Sequence, residues 1–163
     1  MNDIDVDSLS SQLGQQTMAT PQEAPKKECV FCAIVKGAMP AKIVAENEQF
    51  IAFLDIQPKA AGHVVVVPKR HVLTYDMLDM AEEAAYSLLV KQLILKQRNA
   101  LGATGYTLIS SNGGSSGQSV PHFSAHIIPT YSKTQVELPV MGLIQPQKVP
   151  DFVMDDIVQK MKS

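Results

Sequence analysis

Residues 119–129 read SVPHFSAHIIP, and this stretch narrows the fold more than any other. His122 and His126 stand four apart, a spacing that would place both on one face of a helix. The neighbouring residues argue against a helix. Pro121 and Pro129 bracket the segment, and Val120, Phe123, Ile127 and Ile128 favour strands. Strand side chains alternate, so His122, Ser124 and His126 would line one face and Phe123, Ala125 and Ile127 the other. The segment therefore predicts a sheet with a polar His-Ser-His row over an apolar underside that belongs in a core.

The rest of the chain supplies that sheet and its cover. ECVFCAIVKG reads as a short apolar helix stopped at Gly37. KIVAE and FIAFLDI, separated by NEQ, read as a hairpin, and HVVVVPK as a strand stopped by Pro68. Helical spacing runs from about residue 80 to residue 101, with an expected apolar face at Ala84, Leu88, Val90 and Leu95 and a stop at Gly102. GYTLISSN is a further strand, and the loop GGSSGQSVP leads from it to the histidines. A last amphipathic helix, DFVMDDIVQKMKS, places Val153, Ile157 and Met161 at fourfold spacing, positioned either to cover the sheet or to pair across a dimer. Short links between the strands predict an antiparallel sheet of about five strands with helices packed on it, an α+β domain.

At 163 residues the chain is one domain with room for a real core. Its formal net charge of −2 gives no electrostatic case for nucleic acid or for a membrane surface. Its apolar runs fall short of the ~20 residues a membrane span needs. Residues 1–26 are acidic, then rich in Gln, Ser and Thr, and read as a disordered tail. A short helix over residues 4–13 would bury little. The tail lacks the basic start and apolar run of a signal peptide, so a cytoplasmic, intracellular location is expected.

The cysteines form a CxxC pair, Cys29 and Cys32. Two small thiols at a helix start can simply be buried there. As metal ligands they need partners, because zinc takes four Cys or His donors in a tetrahedron. The candidates are His63, His71, His122 and His126, and spacing alone does not choose among them.

CVFC, FLDIQP, GHVVVVPKRH, SSNGGSSGQSVPH and HIIP together, in this order, resemble the histidine triad (HIT) family of nucleotide hydrolases and transferases. The resemblance spans about residues 27–129. It implies a HIT-like fold, with a HIT domain over residues 27–138 and residues 139–163 as a C-terminal extension carrying the amphipathic helix. It also implies a structural zinc on Cys29, Cys32, His71 and His122. A closed four-ligand site of this kind leaves no position for a catalytic water. Members are commonly homodimers through the long helix and the sheet edge; the apolar helix fits that, and fits burial within one chain equally well.

For the nucleotide the resemblance implies a purine ligand such as AMP. Asn112, Gln118 and Ser119 would lie around the phosphate, with His126 hydrogen-bonded to its oxygens. Small-residue loops let backbone N–H groups approach a phosphate, although such a loop can also be a plain hairpin connection. Asp55 would accept the ribose hydroxyls, and Phe53 and Ile56 would wall the base; without the family both read equally well as core. His63 would support the active row from behind, or serve as an ordinary histidine at a strand start. Family substrates are phosphoramidates or dinucleoside polyphosphates, attacked at the α-phosphorus by the middle histidine of the triad. Here that position is Ser124. A hydroxyl is a poor nucleophile without an adjacent base, and its phosphodiester has a poor leaving group. The expectation is nucleotide binding with weak or absent turnover. Activation of Ser124 or a water by His126 or His63, a serine introduced to trap substrate, and a catalytically inactive zinc-stabilised interaction module are the alternatives.

Overall fold

The computed structural model describes residues 29–131 and 148–163, so the expected tail and the first part of the extension lie outside the described residues. Helix α1 (Val30–Val35) is followed by strands β1 (Ile43–Glu46), β2 (Phe50–Leu54) and β3 (Val64–Pro68). Helix α2 (Met80–Leu101), strands β4 (Gly105–Ile109) and β5 (Ala125–Thr130), and helix α3 (Asp151–Lys162) complete the order. The five strands form one sheet in the order β1-β2-β3-β5-β4, antiparallel at every pairing. The expected α+β architecture, strand count and helices are all present.

Continuous apolar runs mark strands covered on both sides, and β2 and β3 are buried at every position. On one side Ile51, Phe53, Val65 and Val67 pack against Phe31, Ile34 and Val35 of α1. On the other, Phe50, Leu54, Val64, Val66, Phe123, Ala125 and Ile127 pack beneath α2 and α3. Helix α3 therefore covers the sheet of its own chain. Its Met154, Ile157, Val158 and Met161 are buried, worth about 6 to 12 kcal/mol as an upper bound. The exposed pairs of Lys42 with Asp151 and Asp155 on the same helix are screened by water and add little beside that packing.

The first turn of α2 is anchored chemically. Asp79 caps it, accepting from the Glu82 N–H, while the Glu82 carboxylate returns to the Asp79 N–H. Arg70 grips the same carboxylate with two bonds of 2.9 and 2.7 Å, tying the turn after β3 to the helix. Asn47 fixes the β1–β2 hairpin by accepting from Gln49 and Phe50 and donating to the Ala85 carbonyl of α2.

Two expectations need correction. Of the predicted face of α2 only Val90 is buried; Leu88 and Leu95 are 63 % and 47 % exposed, and Ala84 is exposed too. The buried stripe is Glu82, Leu89, Val90, Leu93 and Gln97. The sequence from 84 to 95 is apolar nearly all round, so its periodicity cannot choose the inner face. The histidine strand also starts late. β5 begins at Ala125, because His122 N–H turns back to the Val120 carbonyl and Phe123 N–H donates to Val72. The alternation survives, with Phe123, Ala125 and Ile127 in the core as expected.

Candidate functional site

The expected row of His122, Ser124 and His126 divides into two clusters. His122 joins one and His126 the other, with half-buried Ser124 between them in sequence. The division follows from topology. β5 lies beside β3, so its start meets the Pro68 end of β3 and the α1 turn, while His126 pairs in register with Val65.

The first cluster is Cys29, Cys32, His71 and His122, whose donor atoms all lie within 4.8 Å of one another. Cys29 caps α1 and Cys32 stands one turn into it. His122 Nδ1 is 3.3 Å from Cys29 Sγ and 3.6 Å from Cys32 Sγ, and His71 Nδ1 is 3.2 Å from Cys32 Sγ. A tetrahedral metal with bonds of about 2.0–2.3 Å has ligand edges of about 3.3–3.8 Å, so the spacing fits one ion. The buried His122 Nε2 is 2.9 Å from the Pro68 carbonyl oxygen, to which its N–H donates. That bond fixes the tautomer and leaves the Nδ1 lone pair facing the sulfurs, as a ligating histidine requires. Burial pushes His122 down to about 4, so the ring is neutral near pH 7. Burial pushes the Cys32 thiol up to about 11, with Cys29 adding to the shift, so as a free thiol it is a weak nucleophile.

The second cluster is Asp55, His63 and His126. His63 Nε2 is 3.0 Å from His126 Nδ1, and Asp55 Oδ2 is 3.5 Å from His126 Nδ1 and 3.7 Å from His63 Nε2. Two imidazoles and a carboxylate at such distances can hold a metal. The hydrogen-bond order opposes it. The backbone N–H of Lys59 donates to His63 Nδ1 at 3.1 Å. Neutral His63 must then carry its proton on Nε2, the atom a metal would need. Burial pushes His63 down to about 4 against the pull of Asp55, so it is neutral near pH 7. Its Nε2–H therefore donates to His126 Nδ1, and the proton of His126 itself lies on Nε2, across the ring. Asp55 Oδ1 accepts the Gln57 N–H at 2.8 Å. Burial raises the Asp55 carboxyl, but the His126 and His63 rings beside it and the Gln57 N–H outweigh it and hold it below the usual carboxylate range.

The loop after β4 turns through a short 3-10 segment, Gly114–Ser116, between Gly113 and Gly117 at φ of 87° each. Asn112 accepts the Tyr75 N–H and donates to Ser110 Oγ. Gln118 accepts the Gly113 N–H and donates to the carbonyls of Leu73 and His122. Both amides thus bond to the chain and shape the loop. Ser119 is exposed. Phe53 is buried against Phe31 with ring centres 5.9 Å apart, whereas Ile56 is 89 % exposed. Sequence reading missed Lys59, which works through its backbone, and Ser110, whose hydroxyl donates to the Ser124 carbonyl at 2.7 Å. No side-chain pattern marks either.

The chain is similar to known proteins in sequence and in fold. The model of the HIT domain matches residues 36–133. A HIT-like protein of Mycoplasma genitalium is 44 % identical over 103 residues, covering 63 % of this chain and 73 % of that protein. The adenosine 5'-monophosphoramidase of Schizosaccharomyces pombe is 39 % identical over 101 residues, covering 62 % of this chain and 73 % of its own. Among solved structures, a zinc-bound histidine triad family protein from Mycobacterium smegmatis superposes with a TM-score of 0.69 at 25 % identity, covering 82 % of this chain and 93 % of that one. With the fold and these likenesses in agreement, the chain belongs to the HIT domain family.

Proposed function

We propose that this protein binds purine nucleoside monophosphates such as AMP beside His126, and that Cys29, Cys32, His71 and His122 hold one structural zinc. Hydrolysis or transfer at an α-phosphate is slow or absent, because Ser124 stands where the family places its nucleophile. The observation that carries the reading is the hydrogen-bond order Lys59 to His63 to His126, which leaves an N–H on His126 Nε2. Such a fixed donor suits a phosphate oxygen. The glycine-rich loop and Ser119 add further donors, with Asn112 and Gln118 holding the loop in shape. Asp55 takes the ribose hydroxyls; exposed Ile56 contacts the base, with Phe53 behind it. The likeness to an adenosine 5'-monophosphoramidase supports an AMP-linked ligand. The zinc holds α1 and the His71 turn against His122, two residues before Ser124.

Calorimetric titration with AMP tests the pocket without requiring turnover. Asp55→Ala is expected to weaken binding by about 1–3 kcal/mol, the usual cost of losing hydrogen bonds to a charged group. If AMP, GMP and adenosine phosphoramidates all fail to bind at millimolar concentration, the interaction-module reading replaces this one.

The same proposal includes an intracellular homodimer. The exposed Ala84, Leu88 and Leu95 on α2, and Tyr106, Leu108 and Ile109 on the open edge strand β4, support it. Sedimentation equilibrium should give twice the chain mass, and Leu88→Glu should shift the protein to monomer. A wild-type monomer at tens of micromolar would end this part of the reading.

A further inference from the structure

Gln97 lies on α2, on the face of the sheet opposite the paired histidines, and is 1 % exposed. Its Nε2 donates to the Gly62 carbonyl at 2.9 Å and to the Ile127 carbonyl at 3.2 Å. Gly62 immediately precedes His63, and Ile127 immediately follows His126. One amide therefore ties together the two backbone segments that carry the histidine pair. Its own Oε1 is buried without a hydrogen-bond partner among the described residues. An apolar side chain of the same volume would avoid that cost, so packing alone does not account for a glutamine here.

The turn that Gln97 grips is held closely from other directions. Gly62 has φ of +86°, and an added Cβ would meet Leu101 Cδ1 at 2.6 Å and Tyr131 Oη at 3.2 Å. The Tyr131 hydroxyl donates to the Ala61 carbonyl at 2.6 Å. His63 N–H turns back to the Ala60 carbonyl, and Asp55 N–H donates to the His63 carbonyl. What the clamp protects is the 3.0 Å contact between His63 Nε2 and His126 Nδ1. A hydrogen bond of that length is lost with a shift of about half an ångström, so the spacing of the two backbones decides whether it forms.

We propose that Gln97 is a positioning residue, which sets the spacing of His63 and His126 from the far side of the sheet and so keeps the proton of His126 on Nε2. The cause lies in the geometry alone; the consequence for AMP rests on the nucleotide reading above. Tyr131 acts with it on the adjacent carbonyl.

The test uses the full chain carrying whatever metal it purifies with. Long-range nitrogen–proton NMR of the imidazoles reads the tautomers, and a separate AMP titration reads affinity. Wild type should show His126 as one tautomer, with its proton on Nε2. Gln97→Met keeps the volume and removes both donated bonds. It should mix the two tautomers of His126 and weaken AMP binding about fivefold, the cost of one ordinary hydrogen bond, with the melting temperature little changed. Leu93→Ala, a cavity in the same helix, should lower the melting temperature and leave the tautomer alone. An unchanged tautomer in Gln97→Met, or an equal change in Leu93→Ala, overturns the proposal. Should Gln97→Met not fold, Tyr131→Phe decides in its place: a partial mixing of His126 tautomers supports the clamp, and none sinks it. If wild type binds no AMP while the tautomers still respond, the nucleotide reading fails and the positioning role stands.

Discussion

Chelation of the purified protein should unfold it, or lower its melting temperature by tens of degrees. The same is expected of Cys32→Ser, which keeps the volume and removes one proposed zinc ligand. Structural zinc in small sites contributes on the order of 10 kcal/mol, comparable to the whole stability of an ordinary domain. The effect should be this large because the four donors come from three separate pieces of chain, α1, the turn after β3 and the approach to β5. Helix α1 has only six residues and no fully buried side chain, and His71 lies in an exposed turn. Elemental analysis of the untreated protein should return about one zinc per chain. A metal-free protein with an unaltered melting curve would remove the zinc from this account, and a Cys29–Cys32 disulfide in its place would point to redox use.

Replacing Ser124 by histidine should raise nucleoside phosphoramidase or dinucleoside polyphosphate hydrolase activity by several orders of magnitude. Losing a covalent nucleophile commonly leaves only the residual catalysis of binding and electrostatics, and the substitution reverses that loss. In the restored route the imidazole attacks the α-phosphorus, the amine or nucleotide leaves with a proton, and water then cleaves the phosphorus–nitrogen bond. The neighbours needed to hold the phosphate, His126 with its Nε2 proton and Ser119, are those proposed to bind it now. Two results would count against this. A parent protein that already turns over at about 1 per second or faster would show that Ser124 or a water suffices. Mass spectrometry of the parent after exposure to substrate would then distinguish a seryl-nucleotide from direct attack by water. A Ser124→His protein that binds AMP and stays inert would show that the geometry around it no longer supports transfer.

The fold was legible where the sequence forces one answer. Alternation around Phe123, Ala125 and Ile127 chose the core face of β5, and the unbroken runs of β2 and β3 marked strands buried on both sides. Helical spacing and Gly102 bounded α2 at about residues 80 and 101, where the structure begins and ends it. It was illegible where several answers are equally apolar, as on α2, whose inner stripe is rotated from the one containing Leu88 and Leu95. The site divided in the same way. That CxxC has two histidine partners is sequence chemistry, but which two is a matter of strand order. Periodicity also placed His122 and His126 in one row, because it cannot see that β5 starts at Ala125 and that the chain turns before it. Gln97 gave no signal at all, since a polar residue within a long helix ordinarily reads as surface.

The placement of β5 between β3 and β4 also bears on how the chain is made. The last residue of the cysteine cluster to be synthesised is His122, 93 positions after Cys29, and the last of the other cluster is His126, four positions later. Both arrive on the same short stretch, which then has to insert between two strands already present. A chain interrupted anywhere before residue 122 therefore carries neither cluster in complete form, and no fragment ending there can offer one without the other. The two clusters are completed within four residues of each other, so copies that stop earlier are marked by open ligands as well as by an open sheet.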